Sequence, residues 1–501
     1  MIEPDATTPR PKKATWLVPL VAYFVLHGVL RLVLSDTLDL DEAEQMLLSQ
    51  EVRLGYNMQP PLYTWLQTAF FAVLGRSVLG LTTLKNLLLL STYLFTYGAA
   101  RQLGLSSKYA IGAALSLLMI PQVAWESQRD LSHSVLATTC GAALFFLLFL
   151  KLRKPSGDRW VFPALGLVVG CGLMAKYSFA FPVVAVAATC LAVRPAREAL
   201  MKPALGWSVL VCLVVVAPHG AWLAGEFHAT AQACVEQVSR GPQEWAWHVS
   251  LLELLKAVVL FLSPFWLVFL ACFGRRLAGS APGERGGLPS WVLPWFHGYG
   301  AVLLASLVGV LLALGGTSFQ DRWLLPMLCI SPAYAFAAVQ SKGGTPARSD
   351  RPFAAFATVA ALLATAVIAA TVVRVLLPDL TGEGTRFNMP YDQVAETVRE
   401  TFEPQAVLAG TNHIAGNLSH QLGRRVPVSS PEMVLEEIED RTVLVVYTPR
   451  RRNDQALPAA LEPLLSDRVP LASPVVRSFP YRHSRRDSLR LGFVEYSAPK
   501  R

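Results

Sequence analysis

The chain has 501 residues, 53% of them apolar and only 16% charged, with a mean hydropathy of +0.41 and a net charge of +9. Apolar residues clump as well: stretches such as 211–217, 257–262 and 301–314 hold almost nothing that water would stabilise. The bilayer is therefore the solvent, and soluble, disordered, fibrous and disulfide-scaffold classes are excluded. Seven cysteines, an odd number with no C-x-x-C pair, imply neither a structural disulfide nor a zinc cluster.

Apolar runs of roughly 15–25 residues read as membrane spans. Eleven occur: 16–34, 79–101, 109–126, 133–151, 160–174, 178–193, 206–224, 254–273, 291–314, 323–340 and 353–377. Arg10, Lys12 and Lys13, in a tail of residues 1–15, precede the first, which lacks a small-residue cleavage site. It reads as an anchor and not as a removed signal peptide. With the N-terminus cytoplasmic, the inward loops hold 18 Lys/Arg and the outward loops 6: Arg53, Arg76, Arg129, Lys176, Arg240 and Arg322. That asymmetry follows the positive-inside rule and, with an odd number of spans, puts residues 379–501 outside the cytoplasm. This last segment balances 16 basic against 16 acidic residues, so the charge excess belongs to the membrane part, 1–378. The excess is explained by topology, and nucleic acid is not implied.

The first outer loop, 35–78, carries most of the chemistry. Asp39 is placed to cap a helix whose first turn holds Asp41 and Glu42, with Glu42 closing a capping box. Behind it Ala43, Met46, Leu47 and Leu54 recur at helical spacing beside Glu44, Gln45 and Glu51, a pattern that suits a helix lying along the membrane surface. Acids at a helix start are also what the helix dipole favours with no chemistry involved. Pro60 and Pro61 end any helix before them and permit one to start, giving a membrane-dipping helix over 62–75 with Tyr63 and Trp65 at the interface.

A first span, then Asp41-Glu42-Ala43, then Pro60-Pro61-Leu62 with Trp65, resembles the GT-C class of membrane glycosyltransferases. Within it the chain is similar to the bacterial branch related to protein mannosyltransferases and to the aminoarabinose and galacturonosyl transferases of lipopolysaccharide. The resemblance covers residues 16–340. It implies transfer of a sugar from a polyprenyl-phosphate carrier to a lipid or glycan acceptor on the outer face of the membrane.

Asp41 falls at the family's catalytic carboxylate, where a base takes the proton of the attacking hydroxyl; Glu42 is the alternative base or a group that orients Asp41. Asp130 and His133 lie where the third span ends and the fourth begins; relatives carry Thr-Pro-Asp there and this chain has Leu131-Ser132-His133, so both are catalytic candidates in place of the family's second carboxylate. Lys176, in Ala175-Lys176-Tyr177, and Arg322, before Trp323-Leu324-Leu325-Pro326, match family cations expected to bind the donor phosphate. Snorkelling anchors are the plain alternative for both. Lys85, six residues inside its span, joins them because intramembrane charge usually faces a cavity. Met58 and Gln59 stand where relatives carry Glu-Lys or His before the prolines. A divalent metal is left open, with Asp39, Asp41 and His133 as hard ligands. His219, His228 and His248 border a loop at 225–253 and read as structural or interfacial.

Residues 379–501 read as a small α/β domain, with strands at 443–448 and 491–496 and helical pieces at 416–422 and 433–440. The resemblance stops short of it. Two other readings stand beside the leading one: a protein O-glycosyltransferase of the same superfamily, and a glycolipid transporter or flippase. Transporters tend to show internal repeats and helices broken at mid-membrane. No repeat is found here, and the unusual polar residues gather on one side.

Overall fold

The computed structural model describes residues 15–56, 59–154, 157–238, 247–278, 287–314, 320–343, 350–382, 384–449 and 456–499. Met58, the basic N-terminal tail and Arg240 lie outside the described residues.

Among the described residues seven helices are long and apolar enough to cross a membrane: Leu17–Leu34, Val78–Gln102, Ser132–Arg153, Asp158–Ala175, Leu205–Phe227, Val292–Ala313 and Arg351–Leu376. Four further segments are bent pairs: Ser107–Met119 with Gln122–Arg129 (71°), Tyr177–Ala192 with Arg194–Leu200 (106°), Trp247–Phe261 with Phe265–Ala278 (67°), and Asp321–Leu328 with Ser331–Lys342 (51°). Counting each pair once yields eleven, one for each apolar run. Four runs expected to be straight are therefore bent. Each break carries a proline (Pro121, Pro195, Pro264 or Pro332) within one residue of the start of the second helix. There the missing N–H and the ring forbid a continuous ladder.

Ser132–Arg153 is the hub. Its apolar window is 83% buried against protein, whereas that of Leu205–Phe227 is 6% buried and faces outward. Phe149 meets Trp295 edge-on at 5.0 Å, and Trp295 stacks on Tyr299 at 5.4 Å. Gly141 lets the segment carrying Pro326 press onto this helix: a Cβ there would lie 2.8 Å from the Pro326 carbonyl oxygen. That close approach carries the preceding turn, with Arg322, to the head of the hub helix.

The last 120 or so residues build a five-stranded sheet of order β2-β1-β3-β5-β4, from β1 (Ala406–Ala409), β2 (Val428–Ser429), β3 (Val443–Tyr447), β4 (Val475–Pro480) and β5 (Ser488–Tyr496). Pairings β1–β2 and β1–β3 are parallel, β3–β5 and β4–β5 antiparallel. Strands β1 and β3 are buried at every position, as unbroken apolar runs require. The helix expected at 416–422 is Asn412–Leu422, but no helix forms over 433–440, where only a short turn at Glu436–Ile438 stands. Met433 is instead tied back to Ser430 by two backbone bonds of 3.0 and 3.1 Å.

The loop helix is Leu40–Leu48, and the expected dipping helix is Leu62–Leu74. The apolar face of the loop helix, which the sequence offered to a membrane surface, is covered by protein. The helix ends before Leu54, which is exposed, and it is pressed between the membrane bundle and Asn412–Leu422. His413 and Asn417 of that second helix donate to the Leu38 carbonyl at 3.0 and 3.2 Å, and Asn417 Oδ1 accepts from Leu38 N–H at 2.8 Å. Thr37 donates to the Met389 carbonyl at 2.7 Å. The small domain thus grips both the segment leading into the loop helix and the helix itself.

Candidate active site

The N-terminus of the loop helix is built as its sequence implies. Asp39 Oδ1 accepts from Leu40 N–H at 3.0 Å, and Asp39 N–H donates to Glu42 Oε2 at 3.1 Å, closing the capping box. Residues 39 and 41 are about 200° apart round a helix, so the acids separate onto opposite faces. Asp41 and Glu44 line one cavity; Asp39 lines a cleft on the other side, and Glu42 a narrower pocket adjoining that cleft.

Glu42 is buried, and Arg31 holds it with bonds of 2.9 Å from Nε and 2.7 Å from Nη2. Burial pushes its carboxyl up, but the opposing pull of Arg31, Lys85 and the Asp39 N–H wins and holds it below the usual range. The structure places Glu42 away from Asp41, as an anchor for the end of the first span.

Asp41 opens onto a cavity of about 190 Å³ that it shares with Glu44, Gln59, His133, Ser134, Lys176 and Arg322. Its Oδ2 accepts from the backbone N–H of Ser132 at 2.6 Å, at the positive end of the hub helix. Leu131, at φ 67°, turns that N–H toward it. Among the described residues, Oδ1 accepts no hydrogen bond. Lys176 caps the C-terminus of Asp158–Ala175 and donates to Ser134 Oγ at 2.6 Å. Burial, then the nearby Arg322 charge, pulls its ammonium down to about 8, with Asp41 opposing. Arg322, in the short turn Asp321–Leu324, makes no hydrogen bond or ion pair among the described residues. Its neighbour Asp321 accepts from Gln122 Nε2 at 2.5 Å, fixing the turn to the third span.

His133 also faces this cavity. Thr64 donates to Gln45 Oε1 at 2.9 Å, which turns the Gln45 amide group toward His133 Nε2 at 3.3 Å. The imidazole then accepts at Nε2 and carries its proton on Nδ1, which is buried. Asp130 stands behind Asp41, whose N–H lies 3.4 Å from Asp130 Oδ1. Burial, then the charges of Asp39 and Asp41, pushes its carboxyl up to about 7.

Lys85 is not brought to Lys176 and Arg322. It is buried and donates to the Arg129 and Asp130 carbonyls at 3.2 and 3.4 Å, in the narrower pocket behind the loop helix. Nor do Asp39, Asp41 and His133 converge: Asp39 pairs with Arg386 at 3.0 Å, and among the described residues no three His, Cys, Asp or Glu side chains are grouped to hold a metal ion. His219 has a structural place, bonding the Leu54 carbonyl at 2.8 Å and Tyr177 Oη at 3.0 Å. His248 lies exposed on the helix Trp247–Phe261, and the side chain of His228 is outside the described residues.

Glu44 is the cavity residue that sequence reasoning passed over. Its signal was the three-residue spacing from Asp41, which puts both on one helix face. Burial, then the charges of Asp41 and Glu432, pushes its carboxyl up to about 8.

The same fold is found among solved structures of membrane proteins. ArnT from Cupriavidus metallidurans bound to undecaprenyl phosphate shares the fold with a TM-score of 0.59 at 14% identity, over 96% of this chain and 98% of that one. A family model described as dolichyl-phosphate-mannose-protein mannosyltransferase matches residues 58–222. Two lipopolysaccharide core galacturonosyltransferases of Rhizobium johnstonii, RgtB and RgtA, are 33% identical over 500 residues and 34% identical over 425. These alignments cover 97% and 82% of this chain and 98% and 81% of the relatives. The fold is that of the GT-C class of membrane glycosyltransferases. It belongs to the family of the lipopolysaccharide core galacturonosyltransferases. The likeness is wider than the motifs at 16–340 implied and takes in the C-terminal domain.

Proposed function

We propose that the protein transfers galacturonic acid from a polyprenyl-phosphate carrier to the lipopolysaccharide core on the periplasmic face of the inner membrane. The sugar and acceptor follow the names of RgtB and RgtA, and the carrier follows the undecaprenyl phosphate bound to ArnT. The observation that carries the reading is one cavity holding a carboxylate with an open oxygen, Asp41, and two cations, Lys176 and Arg322.

In this reading Asp41 Oδ1 takes the proton of the acceptor hydroxyl as its oxygen bonds to the anomeric carbon. The bond from that carbon to the phosphate oxygen breaks, and the electron pair leaves with the phosphate. Lys176 and Arg322 hold the phosphate and stabilise its growing charge. One displacement inverts the anomeric centre. The Ser132 N–H fixes Asp41 by its other oxygen, so the base needs no reorganisation. Asp130 and His133 support it from behind and beside. The orientation rests on the loop charges, 18 inward against 6 outward, and an alkaline phosphatase fused to the C-terminus is expected to be active.

The decisive experiment incubates the purified full chain with polyprenyl-phosphate galacturonic acid and core lipopolysaccharide and follows the product mass. A gain of one uronic acid residue, with inversion, is expected. Transfer from a sugar nucleotide with no lipid carrier, or onto protein only, overturns the reading.

A further inference from the structure

The loop helix carries a second carboxyl on the face that bears Asp41. Asp41 and Glu44 are three residues apart, which sets them about 60° apart round the helix and about 4.5 Å along it. Both line the cavity of about 190 Å³ that also holds Lys176 and Arg322. Among the described residues the Glu44 carboxyl makes no hydrogen bond or ion pair, whereas Glu42 is anchored by Arg31. Glu44 is the fifth residue of Leu40–Leu48. It lies beyond the first turn, where the helix dipole no longer favours an acid.

Its surroundings favour the un-ionised form. Asp41 sits on the same helix, and Glu432, which accepts from Asn412 Nδ2 at 2.6 Å, adds a like charge from the C-terminal domain. Burial and these two charges push the Glu44 carboxyl up to about 8, and the cavity's Lys176, Arg322 and His133 do not reverse it. Near neutral pH it therefore keeps its proton and can donate a hydrogen bond. A polar group turned into a cavity with no protein partner costs stability, and no contact within the fold explains this one.

We infer that Glu44 is the specificity residue for the transferred sugar and donates a hydrogen bond to the carboxylate of galacturonic acid. The inference rests on the transferase reading. With the acceptor oxygen beside Asp41 and the leaving phosphate on Lys176 and Arg322, the anomeric carbon lies between them and the sugar ring extends to the side. Glu44, a turn along the same face from Asp41, borders that space. The two cations are taken by the phosphate, so the sugar carboxylate is left to a neutral donor. Charge agrees. A uronic acid donor brings two negative charges, on phosphate and on sugar, to a cavity that already holds Asp41. An ionised Glu44 would repel it, whereas a protonated one pairs with the carboxylate through a short, charge-assisted bond.

The test compares two lipid donors, polyprenyl-phosphate galacturonic acid and polyprenyl-phosphate galactose, which differ only at the carboxylate. The purified full chain is used as wild type, Glu44→Ala and Glu44→Gln. The readout is the ratio of kcat/KM for the two donors, which partial unfolding of a variant does not move. The wild type is expected to prefer the uronic acid. Glu44→Ala is expected to reduce that preference by roughly tenfold, the scale of one hydrogen bond to a charged group. Glu44→Gln still has an N–H to donate and should keep part of it. Because kcat/KM follows ionisation of the free enzyme, the wild-type ratio should fall as pH rises through about 8, and that of Glu44→Gln should stay level. Lys176 and Asp130 titrate nearby, but they act on the phosphate and the base, which both donors share, so their effects cancel in the ratio. An unchanged preference in Glu44→Ala overturns the assignment, as does a wild-type ratio that is level with pH. Titrating the two donors onto the protein without acceptor keeps the sugar contact separate from the transfer chemistry. Transfer from neither donor would tell against the transferase reading, and binding would still decide the role of Glu44. Tighter binding of the uronic form, lost in Glu44→Ala, supports it, and equal binding of both donors overturns it.

Discussion

Gly416 of the C-terminal domain packs so closely on Ala43 of the loop helix that a Cβ at Gly416 would lie 1.9 Å from the Ala43 carbonyl oxygen. The obstacle is backbone, so no rotamer change relieves it. Gly416→Ala must push the two helices apart and tilt the segment that carries Asp41. A loss of about 1–3 kcal/mol, the usual range for overpacking, is expected as a lower melting temperature in detergent, together with reduced turnover. Wild-type melting and wild-type rate would show that the roof domain does not position the site.

Asp41 and Asp39 differ in what holds them, and their Asn variants should fail in different ways. Asp41→Asn keeps the bond from the Ser132 N–H but cannot accept a proton, so turnover should drop by roughly a hundredfold or more with melting unchanged. Asp39→Asn still caps the helix but loses its charge opposite Arg386, so its larger effect should be on melting. Equal and small effects on rate would leave the acidic run as a helix terminus only.

The three lysine and arginine candidates separate in the same way. Lys176→Gln and Arg322→Gln should raise the KM for the lipid donor more than that for the acceptor. Lys85→Met leaves the Arg129 and Asp130 carbonyls without their shared donor, so it should lower the melting temperature and leave the donor KM alone. A donor KM raised as much by Lys85→Met as by the other two would place all three at one phosphate.

Glu44 sets a pH dependence. Its folded carboxyl titrates near 8 against an ordinary 4.5, so between those values the folded state binds the extra proton. Stability from this group is full below the ordinary value and falls as pH rises toward the folded one. Glu44→Gln should therefore flatten the decline in melting temperature between about pH 5 and about pH 8. An unchanged slope would mean that the carboxyl is already ionised in that range.

Much of the architecture was legible in the chain itself, because span length and hydropathy are local properties answered by the bilayer. All eleven apolar runs became helical segments, and the capping box from Asp39 to Glu42 formed as its spacing required. Asp41, Lys176, Arg322 and His133 were named from short motifs and do share a cavity. Tertiary structure alone decided the rest. Whether Lys85 faced the donor or only the Asp130 turn depended on which way a span was rotated, and its apolar surroundings do not encode that. Glu42 and Glu44 look alike in sequence, but one meets Arg31 and the other the cavity, because the turn of about 200° that separates them round a helix matters only once something packs on each face. The bends were marked by prolines, but their angles were set by neighbouring helices. The loop helix was amphipathic enough for a membrane surface, yet it lies beneath Gly416, some 370 residues further along the chain. An apolar face specifies that it must be covered, and not what will cover it.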